Sequence, residues 1–174
     1  MAINFSSGEQ TGPAQAFIKT GNSGLSLVGL NTLTIGGIPY EAQKVEISYQ
    51  DLNINNQDID WYIRVGSDTT TYTSGYRGAG HYYGSSTGGG EATAYWQTYG
   101  RASRTYTQAG VITLVRNGVT DHEWVMFEKV NIGNNYLYSI SGDIKMGGIP
   151  LNKVFITSFG NAFTGGTAWL SYWV

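Results

Sequence analysis

Two histidines are the first residues in this chain that could do chemistry. His81 lies in a Gly/Tyr-rich stretch, and His122 sits in Asp121-His122-Glu123. Strand alternation would turn His122 away from both acidic neighbours, and a metal site needs more convergent ligands than these. Asp51-Leu52-Asn53-Ile54-Asn55-Asn56-Gln57-Asp58 has the alternating Asp/Asn of a calcium loop. Position six is Asn56 instead of glycine, however, and position twelve is Tyr62 instead of glutamate, so a turn between strands accounts for it better. No Gly-x-x-x-x-Gly-Lys phosphate loop or His-Glu-x-x-His pair occurs. With no cysteine there is no thiolate nucleophile and no disulfide framework. The expectation is therefore a protein that is not an enzyme and takes no metal or cofactor.

Contact chemistry is better represented. Residues 66–90 hold eight Gly and four Tyr (Tyr72, Tyr76, Tyr82 and Tyr83), together with Arg77. Rigid amphipathic rings on a permissive backbone suit adaptable binding surfaces. Tyr95, Trp96, Tyr99, Arg101, Arg104 and Tyr106 follow at once. Aromatic faces can stack on sugar rings while arginine serves hydroxyls, although Trp96, or Tyr95 with Tyr99, could equally fill a core. The candidate contact surface is Tyr72, Tyr76, Arg77, Tyr82, Tyr83, Trp96, Tyr99, Arg101 and Arg104.

The elements that must carry these residues read as strands. Lys44 to Tyr49 alternates Val45, Ile47 and Tyr49 against Lys44, Glu46 and Ser48. Ile59 to Val65 sets Ile59, Trp61, Ile63 and Val65 against Asp60, Tyr62 and Arg64. Further strands are expected at 25–30, 32–35, 93–99, 111–116, 123–132, 136–146, 154–159 and 167–173, the first two as a pair. Asn117-Gly118 marks a hairpin, and Gly142 a bulge or bend. No segment of ten residues keeps a 3.6 period, so almost no helix is expected. About ten short strands in 174 residues predict an all-β, single-domain β-sandwich, jelly-roll-like, spanning 25–174 with a long loop at 66–90. Residues 1–24, polar and weakly periodic, read as an N-terminal arm.

One phrase occurs twice. Ile35-Gly36-Gly37-Ile38-Pro39 precedes Lys44-Val45-Glu46-Ile47-Ser48, and Met146-Gly147-Gly148-Ile149-Pro150 precedes Lys153-Val154-Phe155-Ile156-Thr157. Each reads as a turn feeding a strand, either by duplication or by shared turn chemistry. The following strands are expected in facing sheets.

Composition limits partners. A formal charge of -2 gives no drive toward nucleic acid, and no run nears the ~18 apolar residues of a membrane-spanning helix. The opening Met-Ala-Ile-Asn-Phe-Ser-Ser-Gly lacks the basic start and apolar core of a signal peptide. Acids crowd residues 41–68 and arginines 69–116, a polarity that suits subunit contacts or plain solvated faces.

The chain resembles small structural proteins of tailed bacteriophages, particularly marine and cyanobacterial ones. The resemblance rests on the opening Met-Ala-Ile-Asn-Phe, on Ile59-Asp60-Trp61-Tyr62-Ile63-Arg64-Val65-Gly66 leading to Thr73-Ser74-Gly75-Tyr76-Arg77-Gly78, and on the closing Phe163-Thr164-Gly165-Gly166-Thr167-Ala168-Trp169-Leu170. It implies a jelly-roll virion part, assembled in the host cytoplasm and held by other virion proteins, whether the major capsid protein or tail components. A homo-oligomer, such as a trimer, is expected. A capsid decoration protein is the leading expectation. The alternative is a tail-fibre or receptor-binding tip whose residues 66–106 hold a host surface glycan. The resemblance assigns no individual site residue.

Overall fold

Strict alternation sets the sheet faces. Trp61, Ile63 and Val65 are fully buried while Tyr62 and Arg64 between them stay partly exposed. Val45, Ile47 and Tyr49 behave likewise, as do Trp124, Met126, Glu128, Val130 and Ile132. The computed structural model describes residues 17–54, 61–82, 94–98, 107–118, 122–133 and 136–174. Their strands are β1 (Phe17–Ser26), β2 (Thr32–Ile35), β3 (Lys44–Ile54), β4 (Trp61–Gly66), β5 (Tyr76–Tyr82) and β6 (Trp96–Gln97), then β7 (Gln108–Asn117), β8 (Glu123–Ile132), β9 (Tyr136–Lys145), β10 (Lys153–Ser158) and β11 (Phe163–Trp173). No described residue is helical.

The strands form two antiparallel sheets, ordered β1-β11-β3-β7-β8-β9-β5 and β2-β10-β4-β6. Their inner faces share one core, which makes the fold an all-β sandwich. Two aromatic pairs tie the sheets together. Tyr49 on β3 meets Trp61 on β4 edge-on at 5.1 Å, and Tyr76 on β5 meets Trp96 on β6 at 5.1 Å. Trp61 Nε1 also donates across the interior to Gln108 Oε1 on β7 at 2.8 Å.

Several expectations change. Residues 25–30 do not pair with β2. Residues 25 and 26 end β1, which lies against β11, while β2 lies on β10 in the other sheet. Leu30 N–H then bonds Leu27 C=O in a turn between the sheets. The arm read at 1–24 already carries strand from Phe17, where Phe17 opposes Trp173 and Thr20 opposes Leu170. A polar edge strand needs only one neighbour's hydrogen bonds, so it shows little hydrophobic alternation.

The loop read at 66–90 contains β5, fully registered on β9 from Tyr76↔Ile144 to Tyr82↔Tyr138. Its glycines reflect packing as well as turns. Opposite Gly78, a Cβ on Gly142 would stand 2.6 Å from Trp96 Nε1 and 2.5 Å from Arg77 O. Glycine is what lets the Nε1–Cδ1 edge of the Trp96 indole come this close to the sheet.

The Asp/Asn run also differs, since Asp51 to Ile54 belong to β3. Asp51 takes φ 54° where the register shifts between Tyr49 and Leu52, a bulge that returns Leu52 and Ile54 to the core. Residues 55–60 lie outside the described residues, and the strand expected at 93–99 is represented by the two residues of β6.

Candidate functional site

Alternation in β5 separates the residues expected to share a contact surface. Tyr76 points inward at 1% exposure, and Arg77 points out. The Tyr76 hydroxyl accepts Val65 N–H at 2.9 Å and donates to Tyr72 C=O at 3.0 Å. Burial is the main cause that holds its phenol well above the usual range. Tyr72 is half-buried and donates its hydroxyl to Met146 C=O at 2.7 Å, and burial raises its phenol too. Trp96 is 1% exposed, its indole N–H shared between the carbonyls of Arg77 and Asp143 at 3.3 Å each. Tyr76 and Trp96 are therefore corrected from contact surface to core, because β5 and β6 turn them toward the facing sheet. Tyr72 helps to fasten the β4–β5 connection to the β9–β10 turn.

Arg77 remains on the surface. Its Nη2 lies 2.6 Å from Asp143 Oδ1 and 3.6 Å from Glu123 Oε1, and Nε donates to the same Asp143 oxygen at 2.7 Å. It borders an open groove of about 420 Å³ on the outer face of the seven-stranded sheet, alongside Val125, Phe127, Ser141 and Asp143. Two carboxylates already occupy the guanidinium, so this groove has no uncommitted charge to offer. The Tyr82 backbone pairs with Tyr138, while its side chain and all of Tyr83, Tyr99, Arg101 and Arg104 lie outside the described residues.

Two clusters were not singled out from sequence. The first is interior. Glu128, fully enclosed on β8, accepts the Tyr49 hydroxyl on Oε1 at 2.7 Å, and its Oε2 has no partner among the described residues. Burial pushes this carboxyl up to about 8, against a smaller downward pull from the Tyr49 hydrogen bond. Burial, and then Glu128 itself, push the Tyr49 phenol well up. At neutral pH Glu128 is mostly a protonated acid with no route to solvent, so it can hold a fold together but cannot serve a substrate. Its place on the inward face of the Trp124-Met126-Glu128-Val130 series was readable from period two alone.

The second cluster is exterior. On the outer face of the four-stranded sheet, the rings of Tyr62, Tyr95 and Phe159 stand 4.6 to 5.3 Å apart, with Arg64 beside them. Alternation in β4 already sent Tyr62 and Arg64 outward. Phe159 could not be joined to them without the β4–β10 register, which sets Thr157 opposite Tyr62.

His122, just before β8, is 3% exposed at φ 45°, with its ring 5.3 Å from Tyr40. Burial, then the nearby Arg116 charge, hold the imidazole below its usual range, hence neutral at pH 7. Among the described residues no three His, Asp or Glu side chains converge as a metal would need. No described helix is long and apolar enough to cross a membrane. No family model, curated protein or solved structure matches this chain.

Proposed function

We propose that this chain is a non-enzymatic structural protein of a bacteriophage virion, a jelly roll that decorates or cements the outer surface of the capsid. The observation that carries the reading is the order of eight strands. β1-β11-β3-β7 in one sheet faces β2-β10-β4-β6 in the other, so successive strands of the eight change sheets at every step but β4–β6, an order that supports a doubled Greek key. β5 and the β8–β9 hairpin are additions that widen the first sheet to seven strands. The widened outer face carries Val115, Phe127 and Leu137 at 38%, 49% and 53% exposure, beside the half-exposed Trp169 and Trp173. Such a face suits many weak contacts repeated over a lattice, with neighbouring capsid proteins or further copies of this chain as partners.

Antibody labelling of particles in electron micrographs, with copy number by quantitative gel, tests this. Labelling over the head at hundreds of copies is the expected result. A few copies confined to the tail would replace it with the receptor-binding reading, and absence from particles would overturn both. Removing residues 1–16 leaves β1 whole. If those residues anchor the chain, incorporation into particles falls while the melting temperature holds.

A further inference from the structure

The four-stranded sheet presents an outer face of a different character. Tyr62 from β4, Tyr95 just before β6 and Phe159 just after β10 form a triangle, with centroids 4.6, 4.6 and 5.3 Å apart and planes tilted by 35°, 49° and 72°. Phe159 keeps 41% of its surface exposed. Arg64 lies along them, its guanidinium carbon 4.9 Å from the Tyr62 ring centre and 5.8 Å from that of Tyr95. Nε donates to Ala94 C=O at 3.1 Å, which fixes the plane of the guanidinium. Among the described residues Arg64 makes no ion pair. Asp68, just beyond β4, pairs with Lys153 at 3.5 Å. Beside the rings run the hydroxyls of Thr157 and Thr32, 3.2 Å apart.

Three surface rings and a pinned cation with no ion pair among the described residues are more than the sheet needs for its own stability. The core below is already complete with Trp61, Ile63, Val154 and Ile156 on the inner side of the same strands. The geometry points to a binding platform for an acidic saccharide, one bearing a carboxylate or sulfate. Exposed ring faces match the C–H faces of a pyranose. A guanidinium with Nε already engaged offers its two Nη groups side by side to an anion, a bidentate geometry that lysine could not supply. Charge complementarity selects the acidic sugar over a neutral one, because no carboxylate among the described residues pairs with Arg64. The platform lies on the outer face of the sheet, and it does not depend on where in a particle the chain sits.

Calorimetric titration of the full chain with short uronate oligosaccharides, sulfated oligosaccharides and their neutral parents tests this. Binding of one acidic series is expected, with the neutral parent at least tenfold weaker. Arg64→Gln should cost roughly tenfold for the acidic ligand and little for the neutral one. Phe159→Ala and Tyr95→Ala should abolish both, with melting temperatures within a few degrees of wild type as the check on folding. Uronate against sulfate binding identifies which anion the site takes. Equal affinity for neutral and acidic sugars would overturn the role of Arg64. No binding to any saccharide, or binding undiminished in Phe159→Ala, would overturn the platform. Selective capture of acidic peptides instead would overturn the saccharide assignment.

Discussion

Replacing Glu128 with glutamine should make the protein more stable at alkaline pH and leave it unchanged near pH 4. The folded carboxyl titrates at about 8, against 4.5 for the same group in the unfolded chain. Below pH 4.5 it is protonated in both states and contributes its full stability. As pH rises from there, the unfolded chain loses this proton and the folded chain keeps it, so stability falls until the folded group also ionises near pH 8. At ~1.36 kcal/mol per pH unit the loss reaches about 3 kcal/mol at pH 7 and about 4 kcal/mol at pH 8. That is a large share of the ~5–15 kcal/mol that holds an ordinary domain. Glutamine keeps an acceptor for the Tyr49 hydroxyl and sets an amide where Oε2 already lacks a partner, so little besides the titration changes. Urea unfolding at several pH values from 4.5 to 8.5 is the assay. The difference between variant and wild type should grow from near zero to several kcal/mol, with the m-value constant. His122 titrates in both proteins and cancels in that difference. Tyr49→Phe removes the hydrogen bond that favours the ionised form, and should carry the wild-type decline to higher pH. Parallel stability curves for wild type and Glu128→Gln between pH 5 and 8 would refute the reasoning.

Gly142→Ala should destabilise by at least ~1–3 kcal/mol in thermal melts, since the new Cβ meets backbone on one side and the Trp96 indole on the other. Gly37→Ala should cost about 1 kcal/mol because its φ is +82°, while Gly36→Ala, with nothing nearer than a Lys153 methylene at 3.6 Å, should be nearly neutral in the same melts. Trp61→Phe should lose about 1–3 kcal/mol in urea unfolding, as the Gln108 carbonyl deep in the core loses its 2.8 Å donor.

Alternation made the all-β class, the core side of β3, β4 and β8 and the β7–β8 hairpin legible, because one buried face forces period two on the sequence. It failed where a segment is structured for another reason. β1 is polar because it is an edge, and its register comes from β11. β5 reads as loop because Gly78 and Gly142 face each other under Trp96, and that pairing spans 64 residues of sequence. The same limit applied to the candidate surface. Tyr76 and Trp96 carry the composition of a contact site but face inward, while Phe159 joins Tyr62 only through register. Side-chain type is local information, and convergence of side chains is a property of topology.

The repeated Gly-Gly-Ile-Pro phrase shows the same distinction from the other side. Both copies cross between the sheets, in opposite directions. The first leads from β2 in the four-stranded sheet to β3 in the seven-stranded one, and the second from β9 in the seven-stranded sheet to β10 in the four-stranded one. The strands that follow thus lie in facing sheets, and Ile38 N–H bonds Asn152 C=O, so the two crossings are neighbours. Gly37 and Gly148 even share φ +82°. A duplicated half would require more. A two-fold relation exchanging the copies would turn the β2–β10 pair into a β9–β3 pair, yet β3 and β9 are separated by β7 and β8. The side chains after the turn also exchange roles. Ile38 is buried and Tyr40 exposed, whereas Ile149 is exposed and Leu151 buried. Common backbone geometry with inverted burial is what shared turn chemistry produces when two chain segments solve the same crossing separately, and it argues against descent of one copy from the other.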